Sequence, residues 1–551
     1  MGDSETASVD VGKHDVAHDE APVEMTPITS AFAHLTRAQC IKKFWRLYMT
    51  VLMVSVGAMY AGYASSVIGS IIANEGFIKQ FATVTDPVTG EPALASTHVS
   101  LWQAMNFVSQ IVVQLIAPIT ADRYGRKFNM WALTVFLLGV SVYLPDVKLS
   151  TNPYFKSIIF ACVAKSWQLI LVSRLVSGLA GGLLGSSIMI YMSETAMPQF
   201  RGALLSSFSL FFAIGQLFLA VGLKILDDTT PMKFRHMFYS EFIFAGLWCI
   251  PMLYLPESPV WYALKDRPED AKKSLKRLIG NVEGYDVDHE YEVIKYEAEE
   301  STRIQHGHGN NEWRAFFTRI NIKRTVIATL PFTMQNFVGS PLFFNYSTYF
   351  FSLAKLDDPF LGNLIIQLVL VVGIITSFYL VDKAGRRTLV IYGGVVMCAL
   401  CFIVGGLGFL TANAATGAAL VTLCSLWAFT YAISVAPIGW VSLVEVSSPL
   451  FRAKSTAVAS IIQSASGVLF NYTVPLMLSD QNAGWGQKIG LFFGGITVVY
   501  LIPVILLYPE TKGRTYQELD ELFETGVPAW KFAQTETSHQ RSVQARLDSK
   551  S

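Results

Sequence analysis

The chain has 551 residues, of which 52% are hydrophobic and 15% charged, with a mean hydropathy of +0.41 and a formal net charge of +1. A soluble protein of this length carries more polar residues, and a balance this close to neutral gives no reason to expect a nucleic-acid partner. Six cysteines, most of them inside apolar runs, argue against a disulfide framework.

Residues 1–39 are polar, lack the apolar run of a cleavable signal, and are expected to form a disordered tail that ends near residue 45. A membrane helix needs about 20 apolar residues. Runs of that kind predict six spans in 46–261, at 46–68, 99–120, 128–147, 168–191, 203–226 and 238–255. Six more are predicted in 323–508, at 323–350, 360–381, 388–411, 418–443, 453–478 and 489–508. The piece from Ser157 to Ala164 is too short to span and is followed by Lys165, so 148–167 reads as an outer connection with a short helix.

Residues 262–322 are the large internal polar segment. Pro268 to Ile279 predicts an amphipathic helix, with Leu275, Leu278 and Ile279 on one face and Gly280 as its stop. A second helix is expected near Asp288 to Glu300, and His306 and His308 read as solvated loop rather than as metal ligands. Cys398 and Cys401 form a Cys-x-x-Cys inside an apolar span with no second pair nearby, which reads as two small buried hydrophobes. Residues 509–551 hold no further span and are expected to form a second tail.

Lys and Arg set the orientation. Arg37, Lys42, Lys43 and Arg46 precede the first span, and Arg123, Arg126, Lys127, Arg201, Lys383, Arg386, Arg387, Arg452, Lys454, Lys512 and Arg514 fall in even-numbered connections or the tail. Both termini are therefore expected on the cytoplasmic side.

Three charged motifs occur twice. Asp122-Arg123-Tyr124-Gly125-Arg126 returns 260 residues on as Asp382-Lys383-Ala384-Gly385-Arg386. Glu194 and Arg201 return 251 residues on as Glu445 and Arg452, and Pro256-Glu257-Ser258 returns 253 on as Pro509-Glu510-Thr511. Co-linear repeats at nearly one offset mean that one half copies the other, a parallel duplication found in transporters with a substrate site between the halves. Charge pairs at this edge are expected to latch the halves in one state and release them in another, against the plainer reading that they only mark topology. The spacing leaves open whether each Glu meets its own Arg or a loop Arg such as Arg126 or Arg386. Arg174 at a span start has no partner legible in sequence, so a structural charge and a functional one are equally open.

These motifs resemble the sugar porters of the major facilitator superfamily, of the fungal type, over roughly residues 45–525. Pro509-Glu510-Thr511-Lys512-Gly513 closes the last span as in that family; Pro256 to Trp261 is its sister, with Val260 where an Arg is usual, and Pro118 stands where the loop signature usually has Gly. The resemblance implies an all-α membrane protein of twelve helices in two six-helix halves. It also implies a neutral sugar as cargo, no cofactor, no metal and no enzymatic activity.

A sugar site needs amides and hydroxyls with an aromatic face. Met334-Gln335-Asn336-Phe337-Val338-Gly339 resembles the family's Gln-Gln-x-[Ser/Thr]-Gly segment, placing Gln335 and Asn336 at sugar-binding amide positions. Pro341 and Asn345, with Tyr346 beside it, stand where the family has Asn and Tyr. Ala436-Pro437-Ile438-Gly439-Trp440 resembles the Gly-Pro-x-x-Trp segment, putting Trp440 at the stacking position, and Gln463 falls at another contact. Ser209 replaces a family Gln, while Gln216 is kept. For Gln335, Trp440 and Gln463 the site reading is preferred to helix-joining hydrogen bonds; for Asn336, Asn345 and Tyr346 the two stand level. Asn471, Ser209 and Ser340 read as structural.

Proton-coupled members carry an Asp after Gly-Tyr in the first span, where this chain has Gly62-Tyr63-Ala64. Ala64 cannot titrate, and Glu241, near the outer edge, is the other acidic candidate, so facilitated diffusion is favoured over proton symport, with protons left open as a partner. Tyr346 to Phe351 resembles fungal disaccharide permeases, so the substrate is a mono- or disaccharide, leaning to a disaccharide or glucoside. The expected setting is a monomer in the bilayer of the plasma membrane. A sugar receptor with little flux is the alternative, weakened by the short tail.

Overall fold

The computed structural model describes residues 32–541 apart from 33–34, 36, 86–89, 139–163, 307–315, 412, 448–450, 515 and 539–540; the side chains of Arg201, Asp382 and Arg452 also lie outside what is described. Among the described residues, ten helical paths are long and apolar enough to cross a membrane. Two of the twelve expected spans fall outside that set for separate reasons. The third, expected over 128–147, is described only to Leu138, and the connection expected over 148–167 lies mostly outside the described residues. The seventh, expected as one helix over 323–350, is broken.

The first half begins with the short α1 (Arg37–Lys43) and a first span made of α2 (Trp45–Val54) and α3 (Val56–Ile71). A short α4 (Glu75–Phe81) and an antiparallel pair, β1 (Val84–Thr85) and β2 (Pro92–Ala93), lead to α5 (Ser96–Tyr124), α6 (Arg126–Leu138), α7 (Trp167–Thr195), α8 (Pro198–Thr229) and α9 (Arg235–Tyr254). The linker carries α10 (Pro259–Leu264), α11 (Pro268–Ile279) and α12 (Val287–His306). Pro268 opens α11, acidic Glu269 and Asp270 fill its first turn, and Lys276 and Arg277 its last, each sign favourable to the helix dipole. Its buried face includes Leu275, Leu278 and Ile279, and His306 ends α12 rather than lying in a loop; His308 is outside the described residues.

The second half holds α13 (Arg319–Phe337), a π turn over Pro341–Asn345, α14 (Ser347–Leu353), α15 (Pro359–Ala384), α16 (Arg386–Leu407), α17 (Ala414–Ile433), α18 (Val435–Glu445), α19 (Arg452–Leu478) and α20 (Ile489–Leu507). α21 (Tyr516–Glu524) then folds back: Asp520 pairs with the buried Arg324 at the start of α13, whose guanidinium also lies 4.9 Å from the Phe523 ring. The expected tail is thus partly ordered.

Among the described spans, α2 and α3 part at Ser55 without a proline, while the breaks in the seventh and tenth spans occur at prolines. Pro341 has no N–H to give and follows Gly339 at φ +103, so the seventh span unwinds between α13 and α14. Pro437 removes a helical hydrogen bond just beyond Ser434, where α17 turns into α18. Unwound turns at mid-membrane are tolerated where protein surrounds them.

The face where the described chain enters at α1 and leaves after α20 is here the tail face, and the opposite one the far face. α5 runs along α19, and α8 along α15, joining the halves. Toward the far face the halves are closed. Thr348 donates to the Ser70 carbonyl at 2.9 Å, Gln481 bonds to the Ser96 N–H and the Leu94 carbonyl, and Lys224 pairs with Asp358 at 2.6 Å. A Cβ on Gly69 would lie 1.9 Å from the Asn345 carbonyl oxygen, so only glycine lets α3 touch the π turn.

Candidate functional site

The three duplicated motifs converge in space, once in each half. Glu257 accepts from the backbone N–H of Arg126 at 3.0 Å and of Lys127 at 2.9 Å, holding the first turn of α6. Glu510 does the same for Arg386 at 2.9 Å and Arg387 at 3.1 Å at the start of α16. Gly125 at φ +104 and Gly385 at φ +91 make the turn, and a Cβ there would lie 2.3 and 2.6 Å from the capping carboxylates. Burial pushes the Glu257 carboxyl above its usual value, partly offset by these N–H donors.

The arginine side chain then reaches the paired glutamate. Arg126 holds Glu194 at 2.8 Å and also meets Asp122 at 3.1 Å and the Ala121 carbonyl. Arg386 holds Glu445 at 3.1 Å, and Glu445 also accepts from Thr511 at 2.5 Å. Each glutamate therefore meets the loop arginine of its own half. This differs from pairs that tie one half to the other: the loop arginine folds back over the end of its own helix, and its neighbour Glu257 or Glu510 fixes it there. Arg123 lies over the Tyr124 ring.

At mid-membrane the sequence candidates gather around α13, α18 and α19. The Gln335 carbonyl oxygen accepts from Tyr431 at 2.9 Å, while its Nε2 is buried without a partner. That Nε2 lies 2.5 Å from where a Cβ of Gly439 would stand, so the amide rests over the turn that carries Trp440. Asn336 donates to the Gln463 carbonyl at 3.0 Å and to Ser466 at 2.7 Å, which sets Gln335 and Gln463 at one level on adjoining helices. The Gln463 Oε1 is likewise buried without a partner. Trp440 makes edge-to-face contacts with Phe332, ring centroids 4.6 Å apart, and with Phe208 of the first half, 5.7 Å apart, and packs against both apolar cores.

Other candidates are already engaged. Asn345 donates to Asn471 at 2.9 Å, and the fully buried Tyr346 donates to the Asn471 carbonyl at 2.9 Å, so both tie the seventh span to the eleventh. Gln216 donates to Ser66 at 2.9 Å and positions the first span against α8.

Sequence reasoning missed Tyr431, the residue that orients Gln335, and a polar row on α5. Gln103, Asn106, Gln110 and Gln114 recur at helical spacing in an apolar span, a legible signal. They meet the Ser65 carbonyl, the Arg174 carbonyl, each other, and Ser464 of the second half at 3.0 Å. Arg174 and Glu241 are both fully inside the first half and interact electrostatically with each other and with Tyr60; Arg174 also donates to the Ala64 carbonyl at 3.1 Å. Glu241 is thus buried within the bundle, in the second turn of α9.

The family model described as "Sugar (and other) transporter" matches residues 50–523. The chain belongs to this sugar porter family. The General alpha-glucoside permease of Saccharomyces cerevisiae is 28% identical over 547 residues, covering 97% of this chain and 84% of that protein. The high-affinity glucose transporter ght2 of Schizosaccharomyces pombe is 26% identical, covering 89% of each. Among solved structures, the xylose transporter XylE from E. coli in a partially occluded inward-open conformation superposes with a TM-score of 0.66 at 21% identity, covering 86% of this chain and 100% of that one. The transporter therefore has the twelve-helix major facilitator fold and is a multi-pass membrane protein, not an enzyme.

Proposed function

We propose that this transporter moves a neutral mono- or disaccharide by alternating access, with a disaccharide or glucoside favoured. The observation that carries the reading is two buried amide atoms without partners: Gln335 Nε2, against the turn that carries Trp440, and Gln463 Oε1 on the adjoining helix. One is a donor and the other an acceptor. Leaving each unpaired costs about 1–3 kcal/mol, which a sugar hydroxyl, able to play both parts, recovers. The Trp440 ring supplies the apolar face for the sugar's C–H surface. Asn336 fixes the level of the two glutamines, while Asn345, Tyr346 and Gln216 hold the helices around them. The alpha-glucoside permease likeness supports the glucoside preference. With closure toward the far face, the molecule stands at the stage of the cycle in which the site is sealed from that side. The Lys and Arg distribution makes the tail face cytoplasmic, and the plasma membrane is the proposed location, with the transporter acting as a monomer.

Ala64 in place of the family's acid favours facilitated diffusion. Proton symport is the second reading, carried by the buried Glu241 beside Arg174, a pair with the chemistry to take and release a proton. The deciding experiment is labelled-sugar uptake across hexoses, pentoses, maltose and other α-glucosides in cells lacking their own carriers. Saturable uptake of one class establishes transport. Sugar binding to the purified protein without flux for any of them would overturn it in favour of a receptor.

A further inference from the structure

At the tail face, the start of the first span meets the end of linker helix α11 around a cavity of about 600 Å³. Its polar groups are Lys43, Arg46, Asn281 and Glu283, with Ile279 and Trp45 supplying apolar wall. Two cations face one carboxylate, so the lining carries a net charge of about +1. Among the described residues neither cation has a carboxylate within ion-pair distance. The Lys43 ammonium lies 4.6 Å from the centre of the Phe32 ring, and Arg46 reaches over Gly280, where a Cβ would come within 2.9 Å of its Nη1. The φ of +74 at Gly280 both ends α11 and opens the room that the guanidinium occupies.

A second observation leads out of this cavity into the bilayer. Trp45 is 63% exposed, and Met49 and Met53, at 44% and 54%, follow it at four-residue steps. Residues four apart share a helix face, so the three make one apolar stripe up α2, starting at the cavity. Trp45 is also the first residue of the first membrane-crossing path, the level at which tryptophan sits between water and hydrocarbon.

The geometry points to a phospholipid site: a headgroup with one net negative charge seats its phosphate between Lys43 and Arg46, and an acyl chain follows Trp45, Met49 and Met53. Asn281 can donate to a polyol headgroup and Glu283 can accept from it, which suits phosphatidylinositol better than a headgroup of higher charge. A zwitterionic headgroup gains nothing from a net positive lining. A soluble phosphorylated compound would use the two cations and leave the stripe unused, so the intact lipid and its free headgroup give different results. Because the cavity joins α2 to α11, an occupied site ties the first span to the linker independently of the sugar site.

The test is native mass spectrometry of the purified full chain in detergent, with phosphatidylinositol, phosphatidylcholine and glycerophosphoinositol as probes. The expected result is at least a fivefold preference for phosphatidylinositol over phosphatidylcholine. Lys43→Ala with Arg46→Ala should abolish it, and the charge-keeping pair Lys43→Arg with Arg46→Lys should retain it. Trp45→Ala should weaken the intact lipid while leaving glycerophosphoinositol unaffected. Equal retention of the two lipids by the wild-type protein overturns the proposal, as does a preference that survives loss of both cations. Competition by glycerophosphoinositol as effective as that of the intact lipid assigns the cavity to a soluble phosphate compound and overturns the lipid site. If the double alanine variant does not fold, Arg46→Gln alone decides, since half of the cationic charge is then gone.

Discussion

At the proposed sugar site, Gln335 and Trp440 are expected to make separable contributions. Gln335 is held by Tyr431 at one end and is free at the other. Gln335→Ala is expected to lower uptake about tenfold or more while the protein still reaches the membrane, from loss of one buried hydrogen bond. Trp440→Ala should do the same through loss of the apolar face, and unchanged uptake in either variant removes that residue from the site. Tyr431→Phe tests the positioning. It leaves the Gln335 carbonyl oxygen without its donor, so apparent affinity should fall several-fold with less effect on maximal rate, measured as concentration dependence of uptake. Glycine matters at the same scale. Gly125→Ala would strain a backbone at φ +104 and push against Glu257. The expected cost is about 1–3 kcal/mol, read as a lower melting temperature in detergent; an unchanged midpoint would mean that the turn relaxes.

At the level of elements, the tail-face clusters fasten each loop arginine to its own half. Glu257 and Glu510 cap the helices that begin at Arg126 and Arg386, and those arginines hold Glu194 and Glu445. Glu194→Gln and Glu445→Gln should therefore slow net transport while sugar binding to the purified protein persists. Both pairs are largely buried, so losing one charge is expected to cost roughly 3 kcal/mol and to loosen that edge within each half. The readout is the reactivity of cysteines introduced on the tail face, expected to rise; wild-type reactivity would leave these charges as topology markers. Helix ends were largely legible in the sequence, because Pro268, Gly280 and the charge gradient of α11 act locally. The two mid-membrane breaks were less so. Pro341 and Pro437 are visible in the sequence, but prolines at 118, 251, 475 and 503 stay inside continuous helices. Whether a proline breaks a helix depends on the neighbours that take over the freed carbonyl.

For the molecule as a whole, coupling and closure are the open quantities. With Ala64 in the first span, a protonophore is expected to leave initial uptake nearly unchanged, and the sugar should not accumulate above its outside concentration. Strong inhibition with alkalinisation of the medium during uptake would assign the proton to another group, with Glu241→Gln as the next measurement. Closure toward the far face rests partly on Lys224 and Asp358, which belong to different halves. Asp358→Asn should weaken this seal by roughly 1 kcal/mol and raise labelling of a Thr348→Cys probe from the far side; identical labelling would show that the packing of α3 on the π turn suffices.

The membrane class, the twofold internal repeat, the linker helices and the family can be read from the chain alone, because hydropathy, periodicity and motif spacing are properties of short windows and their offsets. The sequence also named Gln335, Trp440 and Gln463, which lie on the adjoining helices α13, α18 and α19. Partnership between side chains is settled in three dimensions. Arg126 lies 68 residues from Glu194 and 131 from Glu257, and Asn345 lies 126 from Asn471, separations over which one chain allows many pairings. Packing selected among them by using up most polar groups between helices, and the few it left unspent include one amide atom on each of Gln335 and Gln463.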